Sequence, residues 1–158
     1  MAPIPTLDRT DRAIIAVLQQ NARLSNKELA ASVGVAPSTC SERMRRLEAE
    51  GVFTGFHATV DPGALGIGLQ AMIAVRLRRH AAEEVDAFRR HAASMPEVTS
   101  VSHVTGPNDF LVHVVVRDAD HLRDLAVSGF TTMQEVDHIE TALIFEHMAK
   151  GTLPDLTG

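Results

Sequence analysis

The 158-residue sequence predicts an α+β protein of two domains, a trihelical N-terminal unit and a C-terminal unit of order βαββαβ. Three observations carry that prediction. Capping signals and apolar residues at a helical period fill the first third of the chain, the period changes to two from Leu69, and the charge balance changes between the halves. Residues 1–60 hold seven Arg/Lys against six Asp/Glu, whereas residues 61–158 hold eight against fourteen. Halves of opposite polarity point to domains with different partners.

The first helix is expected over residues 7–20, with Asp8 as N-cap, Asp11 three residues on, and Ile14, Ile15 and Leu18 on one face. "SNKE" is a capping box from Ser25 to Glu28, opening a short helix with Leu29, Ala30 and Val33 inward and Gly34 as a left-handed stop. Pro37 suits the first turn of a third helix, with Cys40, Met44 and Leu47 inward and Gly51 at its end. The tight turn between the second and third helices gives a helix-turn-helix. "VFTGFHATV" then reads as a strand or wing, and "DPGALGIG" as a linker. The expected domains are therefore 1–60, a linker at 61–68, 69–150, and a C-terminal tail at 151–158.

In the second half, Leu69, Ala71, Ile73, Val75 and Leu77 alternate with Gln70, Met72, Ala74 and Arg76 to give a strand. A helix follows with Val85, Phe88, Ala92 and Met95 inward, closed by Pro96. Residues 98–105 and 110–116 read as two strands joined by "GPND". Asp118 caps a second helix with Leu122, Leu125 and Phe130 inward, and Ile139, Thr141, Leu143 and Phe145 define a last strand. The order is that of a ferredoxin-like unit with one four-stranded antiparallel sheet. Helices cover one face of such a sheet, yet Leu111, Val115, Met72 and Ile144 place apolar groups on the other. A second copy is the simplest cover, so a homodimer is expected.

The third helix carries the candidate chemistry. With Cys40, Met44 and Leu47 inward, Ser38, Glu42, Arg45 and Arg46 point outward, with Thr39 and Ser41 on the flanks. A major groove about 12 Å wide admits a helix, and a bidentate arginine–guanine pair is worth about 1–3 kcal/mol of discrimination. Ser38, Thr39 and Ser41 stand where a helix-turn-helix approaches base edges, while Lys27, Arg43, Arg45 and Arg46 suit phosphates and Glu42 suits a cytosine amine. The competing reading is an exposed amphipathic helix in which Glu42 pairs with Arg45 and Arg46.

Other classes find little support. No apolar run approaches the roughly 18 residues of a membrane span, and "MAPIPTLDRTDR" lacks signal or transit character, so a cytoplasmic protein without a membrane partner is expected. Cys40 is the single cysteine, which excludes an intrachain disulfide and a Cys-built metal site, and the eight histidines show no ligand-like spacing. No metal or cofactor is expected. An enzyme would have only Asp109 near His103 as an acid/base pair, without a nucleophile elbow or phosphate loop.

These residues together resemble the Lrp/AsnC (feast/famine) family of transcriptional regulators. "LDRTDRAIIAVLQQNARLSNKELAASVGVAPSTCSERMRRLEAEGVFTGFHATVDP" is similar to the family's N-terminal domain, and "VTGPNDFLVHVVV" to the core of its C-terminal ligand-sensing domain. The resemblance implies a sequence-specific regulator that binds double-stranded DNA, dimerises through its sheet, and assembles to octamers or larger, with nucleoid association. It also implies an amino acid or related metabolite bound near the loop after the second C-terminal strand. Carried over, that site falls on Val104, Thr105, Gly106, Pro107, Asn108 and Asp109, with Thr141 on the last strand. Asp109 would take an α-ammonium group, and amides around Gly106 a carboxylate. Pro107 and Asn108 depart from the family's usual loop, and Ala36 stands where a capping serine is common. Without the resemblance, "GPND" is an ordinary hairpin turn. An architectural DNA-organising protein without a ligand response is the alternative.

Overall fold

The computed structural model describes residues 6–156; the ends of the expected first domain (1–5) and tail (157–158) lie outside the described residues. Contacts divide the described residues into two units, 6–59 with 148–156, and 60–147.

In the helical unit, α1 (Arg9–Gln20), α2 (Asn26–Val33) and α3 (Pro37–Ala49) start where the local chemistry directs. Asp8 caps α1 by accepting from the amides of Thr10 and Asp11, at 2.8 and 2.9 Å. Ser25 and Glu28 form the reciprocal capping box of α2, which ends at Gly34 in the left-handed region (φ 73°), a conformation open to glycine at no steric cost. Helix α3 has Ala36 at its N-cap and no side-chain cap. Ile14, Leu18, Leu29, Ala30, Cys40 and Leu47 form the buried core, with Met44, Val52 and Phe53 packed against it. A leucine buried as fully as Leu47 contributes about 2 kcal/mol. Burial also pushes the Cys40 thiol up, so it stays a protonated core group.

Two expectations change here. Residues 52–60 form no strand, because no segment of the described chain pairs with them; Phe53 and Phe56 pack ring to ring at 5.4 Å instead. The C-terminal residues are not a separate tail. Arg12 Nη1 lies 2.9 Å from Asp155 Oδ2, and the Gln19 side-chain amide accepts from the Leu153 amide at 2.6 Å.

The second unit opens with a 3-10 turn at Pro62–Leu65. It continues through β1 (Leu69–Leu77), α4 (Ala82–Ser94), β2 (Val98–His103), β3 (Phe110–Val116), α5 (Ala119–Leu125), a π-helical turn at Ala126–Thr131 and β4 (Val136–Leu143). The sheet is antiparallel in the order β2-β3-β1-β4. Ala71, Ile73, Val75 and Leu77 of β1 and Phe110, Val112, Val114 and Val116 of β3 are buried against Phe88, Ala92, Leu122, Leu125 and Phe130. Strict alternation along both strands produces that face.

The edges differ from the sequence reading. Strand β4 begins earlier, at Val136, and ends at Leu143, which leaves Phe145 99% exposed. Its ladder runs along β1 only as far as Ala71–Leu143, followed by a last bond from the Ile144 amide to the Gln70 carbonyl, so no partner remains for Phe145. Strand β2 stops at His103 because the Val104 amide closes the hairpin onto the Asp109 carbonyl at 2.9 Å.

Candidate nucleic-acid and ligand interfaces

Helix α3 presents the expected outward set. Ser38, Thr39, Glu42, Arg45 and Arg46 are exposed, Ser41 and Arg43 are half-buried, and Lys27 of α2 is exposed. The missing cap at Ala36 leaves the first amides of α3 open to water or phosphate, at the positive end of the helix dipole. Asn26 Nδ2 donates to the Pro37 carbonyl at 2.8 Å, fixing the turn between α2 and α3.

The arginines divide into two kinds. Arg43 and Arg46 reach back to α1: Arg43 Nη1 lies 2.5 Å from Asp8 Oδ2 and 2.9 Å from Asp11 Oδ1, and Arg46 Nη2 donates to Asp11 Oδ2. The Arg43 hydrogen bond, together with the Asp11 amide, holds the Asp8 carboxyl well below its ordinary value, at about 2, and in return these carboxylates raise Arg43. The i,i+3 and i,i+4 pairs of Glu42 with Arg45 and Arg46 do not form; Arg46 instead approaches Glu50 at 3.9 Å. Arg45 and Lys27 form no salt bridge among the described residues. Two of the three arginines expected on phosphates are thus engaged within the unit. Thr39, Glu42, Arg43 and Arg46 line a concavity of about 420 Å³ on this surface.

In the sheet unit, the loop from Val104 to Asp109 joins β2 and β3. Thr105, Gly106 and Pro107 are exposed, while Val104, Asn108 and Asp109 are half-buried. Gly106 has φ 125°, where a side chain is strained, and nothing lies within 4 Å of the position a Cβ would take. The loop therefore exposes its main chain at that point.

Asp109 is tied into the sheet unit on three sides. Its Oδ2 accepts from the Leu77 amide at 2.7 Å, its Oδ1 lies 2.9 Å from His80 Nδ1, and its own amide donates to the Val75 carbonyl at 2.8 Å. One oxygen is held by the end of β1 and the other by His80 just beyond it, so Asp109 fastens the loop in shape. The Asp109–His103 acid/base pair is not formed, since His103 stacks on Phe110 with ring centroids 4.7 Å apart. Thr141 is exposed on β4 opposite Ile73, two residues along β1 from the carbonyl that receives the Asp109 amide. His80 is the partner that local reading missed, because it follows the end of β1, far from Asp109 in sequence.

The open face of the sheet carries Met72, Ala74, Leu111 and Val115, all half-buried. Among them His113 hydrogen-bonds Thr99 Oγ1 through Nδ1 at 2.6 Å and Gln70 Oε1 through Nε2 at 3.1 Å. A neutral ring protonated on Nε2 satisfies both contacts. Burial, and the neighbouring His147 stacked 5.4 Å away, push the His113 value down.

A helix-turn-helix joined in one chain to a βαββαβ ligand-binding module is the organisation of a transcriptional regulator. Residues 7–54 match a winged helix-turn-helix DNA-binding family and residues 70–154 match the Lrp/AsnC ligand-binding domain; the chain belongs to the Lrp/AsnC family. The HTH-type transcriptional regulator AldR of Mycolicibacterium smegmatis is 43% identical over 148 residues, spanning 94% of this chain and 86% of that one. A Neisseria meningitidis transcriptional regulator, solved as its L-Met complex, superposes with a TM-score of 0.89 at 30% identity, covering 96% of this chain and 98% of that one. Escherichia coli AsnC gives a TM-score of 0.84 at 28% identity, covering 94% and 99%. The Rhizobium meliloti relative, 34% identical over 137 residues that span 87% of this chain and 88% of that one, is named a leucine-responsive regulatory protein. No helix among the described residues is long and apolar enough to cross a membrane.

Proposed function

We propose that this chain is a sequence-specific DNA-binding regulator whose assembly or DNA binding responds to an amino acid or related small metabolite. The observation that carries the reading is the exposed face of α3, where Ser38, Thr39, Glu42 and Arg45 stand beside uncapped amides while Cys40 and Leu47 lie fully buried beneath. Ser38, Thr39 and Ser41 approach base edges, Arg45 takes a guanine or a phosphate, and Lys27 takes a phosphate. Arg43 and Arg46 contribute through the guanidinium edges that Asp8 and Asp11 leave free. The half-buried apolar face of the sheet supports a homodimer, from which larger assemblies are built. A dimer reads half-sites about 34–36 Å apart or a multiple of that spacing. The working place is the cytoplasm, on the nucleoid.

For the effector, residues 104–108 offer exposed main chain around Gly106 to a carboxylate, with Thr141 nearby along the sheet, while Asp109 holds the loop in shape. The L-Met complex of the Neisseria relative supports an amino acid as ligand. One observation favours the architectural alternative without a ligand response: each oxygen of the Asp109 carboxylate already has a partner within the unit. Titration of the purified chain with the twenty amino acids, following thermal stability and oligomer mass, tests this. A ligand at 100 times its dissociation constant adds about 2.7 kcal/mol. A selective shift that also changes DNA affinity is expected; silence across the panel overturns the amino-acid response and leaves the architectural reading.

A further inference from the structure

We propose that Asp11 is a specificity-determining residue for DNA recognition, which it achieves by holding Arg43 and Arg46 in a charge-neutral, fixed cluster beside the exposed face of α3. The proposal rests on the DNA-binding reading above. The Asp11 side chain is 1% exposed, yet both its oxygens are spent on donors: Oδ1 on Arg43, and Oδ2 on Arg46 and on the Asp8 amide at 3.0 Å. Arg43 Nη1 also reaches Asp8 Oδ2, so two carboxylates and two guanidiniums close into one net-neutral cluster.

Stability alone does not require such a cluster. Burying a carboxylate costs several kcal/mol in desolvation, and an apolar residue of similar volume often holds two helices equally well. An ion cluster adds what apolar packing lacks. It aims two guanidinium planes, and it cancels charge on a helix that faces DNA. Arg43 and Arg46 keep side-chain exposures of 26% and 44%, so their outer edges still face the concavity they share with Thr39 and Glu42.

The consequence is a division of labour among cations. Each free cation placed on a phosphate adds about −0.9 to the slope of log affinity against log salt, and it does so on every sequence alike. Releasing Arg43 and Arg46 would therefore strengthen binding to any duplex. Held by Asp11, they add little to non-specific attraction and meet only a duplex that fits their fixed geometry. Arg45 and Lys27 remain as the unclamped cations of α3 and α2.

The test compares the full chain with Asp11→Asn on two fragments, one selected by the wild-type protein from a random pool and one scrambled, each titrated across a salt series. The variant frees Arg46 while Asp8 still holds Arg43, and is expected to steepen the scrambled-fragment slope by about 0.9 per protomer, to bind that fragment more tightly, and to lower the selected-to-scrambled ratio at least about tenfold. The folded fraction, followed by circular dichroism at each salt concentration, separates partial unfolding from the change in slope. An unchanged slope and ratio in a folded variant overturn the proposal. If circular dichroism shows Asp11→Asn unfolded, Arg46→Lys carries the test, since it keeps the charge at an exposed position but gives up the planar fork. Its ratio is expected to fall about fivefold, and an unchanged ratio overturns the proposal. A wild-type chain that binds both fragments alike sinks the sequence-specific reading itself, and the proposal with it.

Discussion

Asp11 in the helical unit and Asp109 in the sheet unit are both carboxylates turned inward, but their partners are of different kinds. Asp11 meets two guanidiniums from α3, whereas Asp109 meets a main-chain amide of β1 and the imidazole of His80. A carboxylate held by side chains of another helix fixes how the two helices lie against each other. One held by the main chain of a neighbouring strand fixes a loop. Loss of the first should therefore disturb a whole unit and its DNA-facing surface, and loss of the second should loosen only the segment between β2 and β3.

Substitution separates the two most strongly. Asp11→Ala removes the buried member of an ion cluster and one half of the α1 capping box, and should destabilise the helical unit by about 3 kcal/mol in urea unfolding. Asp109→Ala leaves the amide of buried Leu77 and the exposed His80 imidazole unsatisfied, and should cost about 1–2 kcal/mol, with hydrogen exchange rising in residues 104–109. Equal losses at the two positions would erase the distinction between a helix clamp and a loop latch.

Acid sharpens it further. Asp8 lies in the same cluster and has a folded value of about 2 against an ordinary 3.8, so its contribution is present above about pH 3.8 and disappears as pH falls through about 2. Unfolding of the wild-type helical unit followed from pH 5 to pH 2 should show that loss, and Asp8→Asn should flatten it. The sheet unit should respond in a higher window. The His113 value is lowered below its ordinary 6.5, so the unfolded state takes up the proton more readily, and stability should decline as pH falls below about 6.5. His113→Gln should remove that part of the decline. The smallest effect is a gain: Ala36→Ser supplies the missing cap of α3 and should add about 0.5–1 kcal/mol, read as a rise in the unfolding midpoint.

Local signals in the sequence explain most of what it reveals. Asp8, Ser25 and Gly34 act on amides and dihedrals within a few residues, so the helix starts and the stop are readable from neighbours alone. Alternation along β1 and β3 fixed the covered face for the same reason. The clamp was hidden because Asp11 lies 32 residues from Arg43, while Glu42 offered Arg45 and Arg46 a nearer carboxylate. Its signal was nonetheless present, since an apolar-faced helix that also buries a charged third residue needs a cation from elsewhere. His80 opposite Asp109 was hidden in the same way, as was the return of Leu153 and Asp155 to α1 across 134 and 143 residues. The strand expected over residues 52–60 is absent for a different reason. Residues 52–60 have strand composition, but composition does not supply a partner strand.

The central claim is that α3 reads DNA through its exposed face, with Arg45 as an unclamped cation. It is tested most directly by the salt dependence of affinity for a wild-type-selected fragment, measured in parallel for the wild-type chain and Arg45→Ala. A wild-type slope that is clearly negative, and an Arg45→Ala slope smaller in magnitude by about 0.9 per protomer, is the expected result. A wild-type slope near zero, or the same slope and affinity in both proteins, contradicts the claim and removes α3 from the DNA interface.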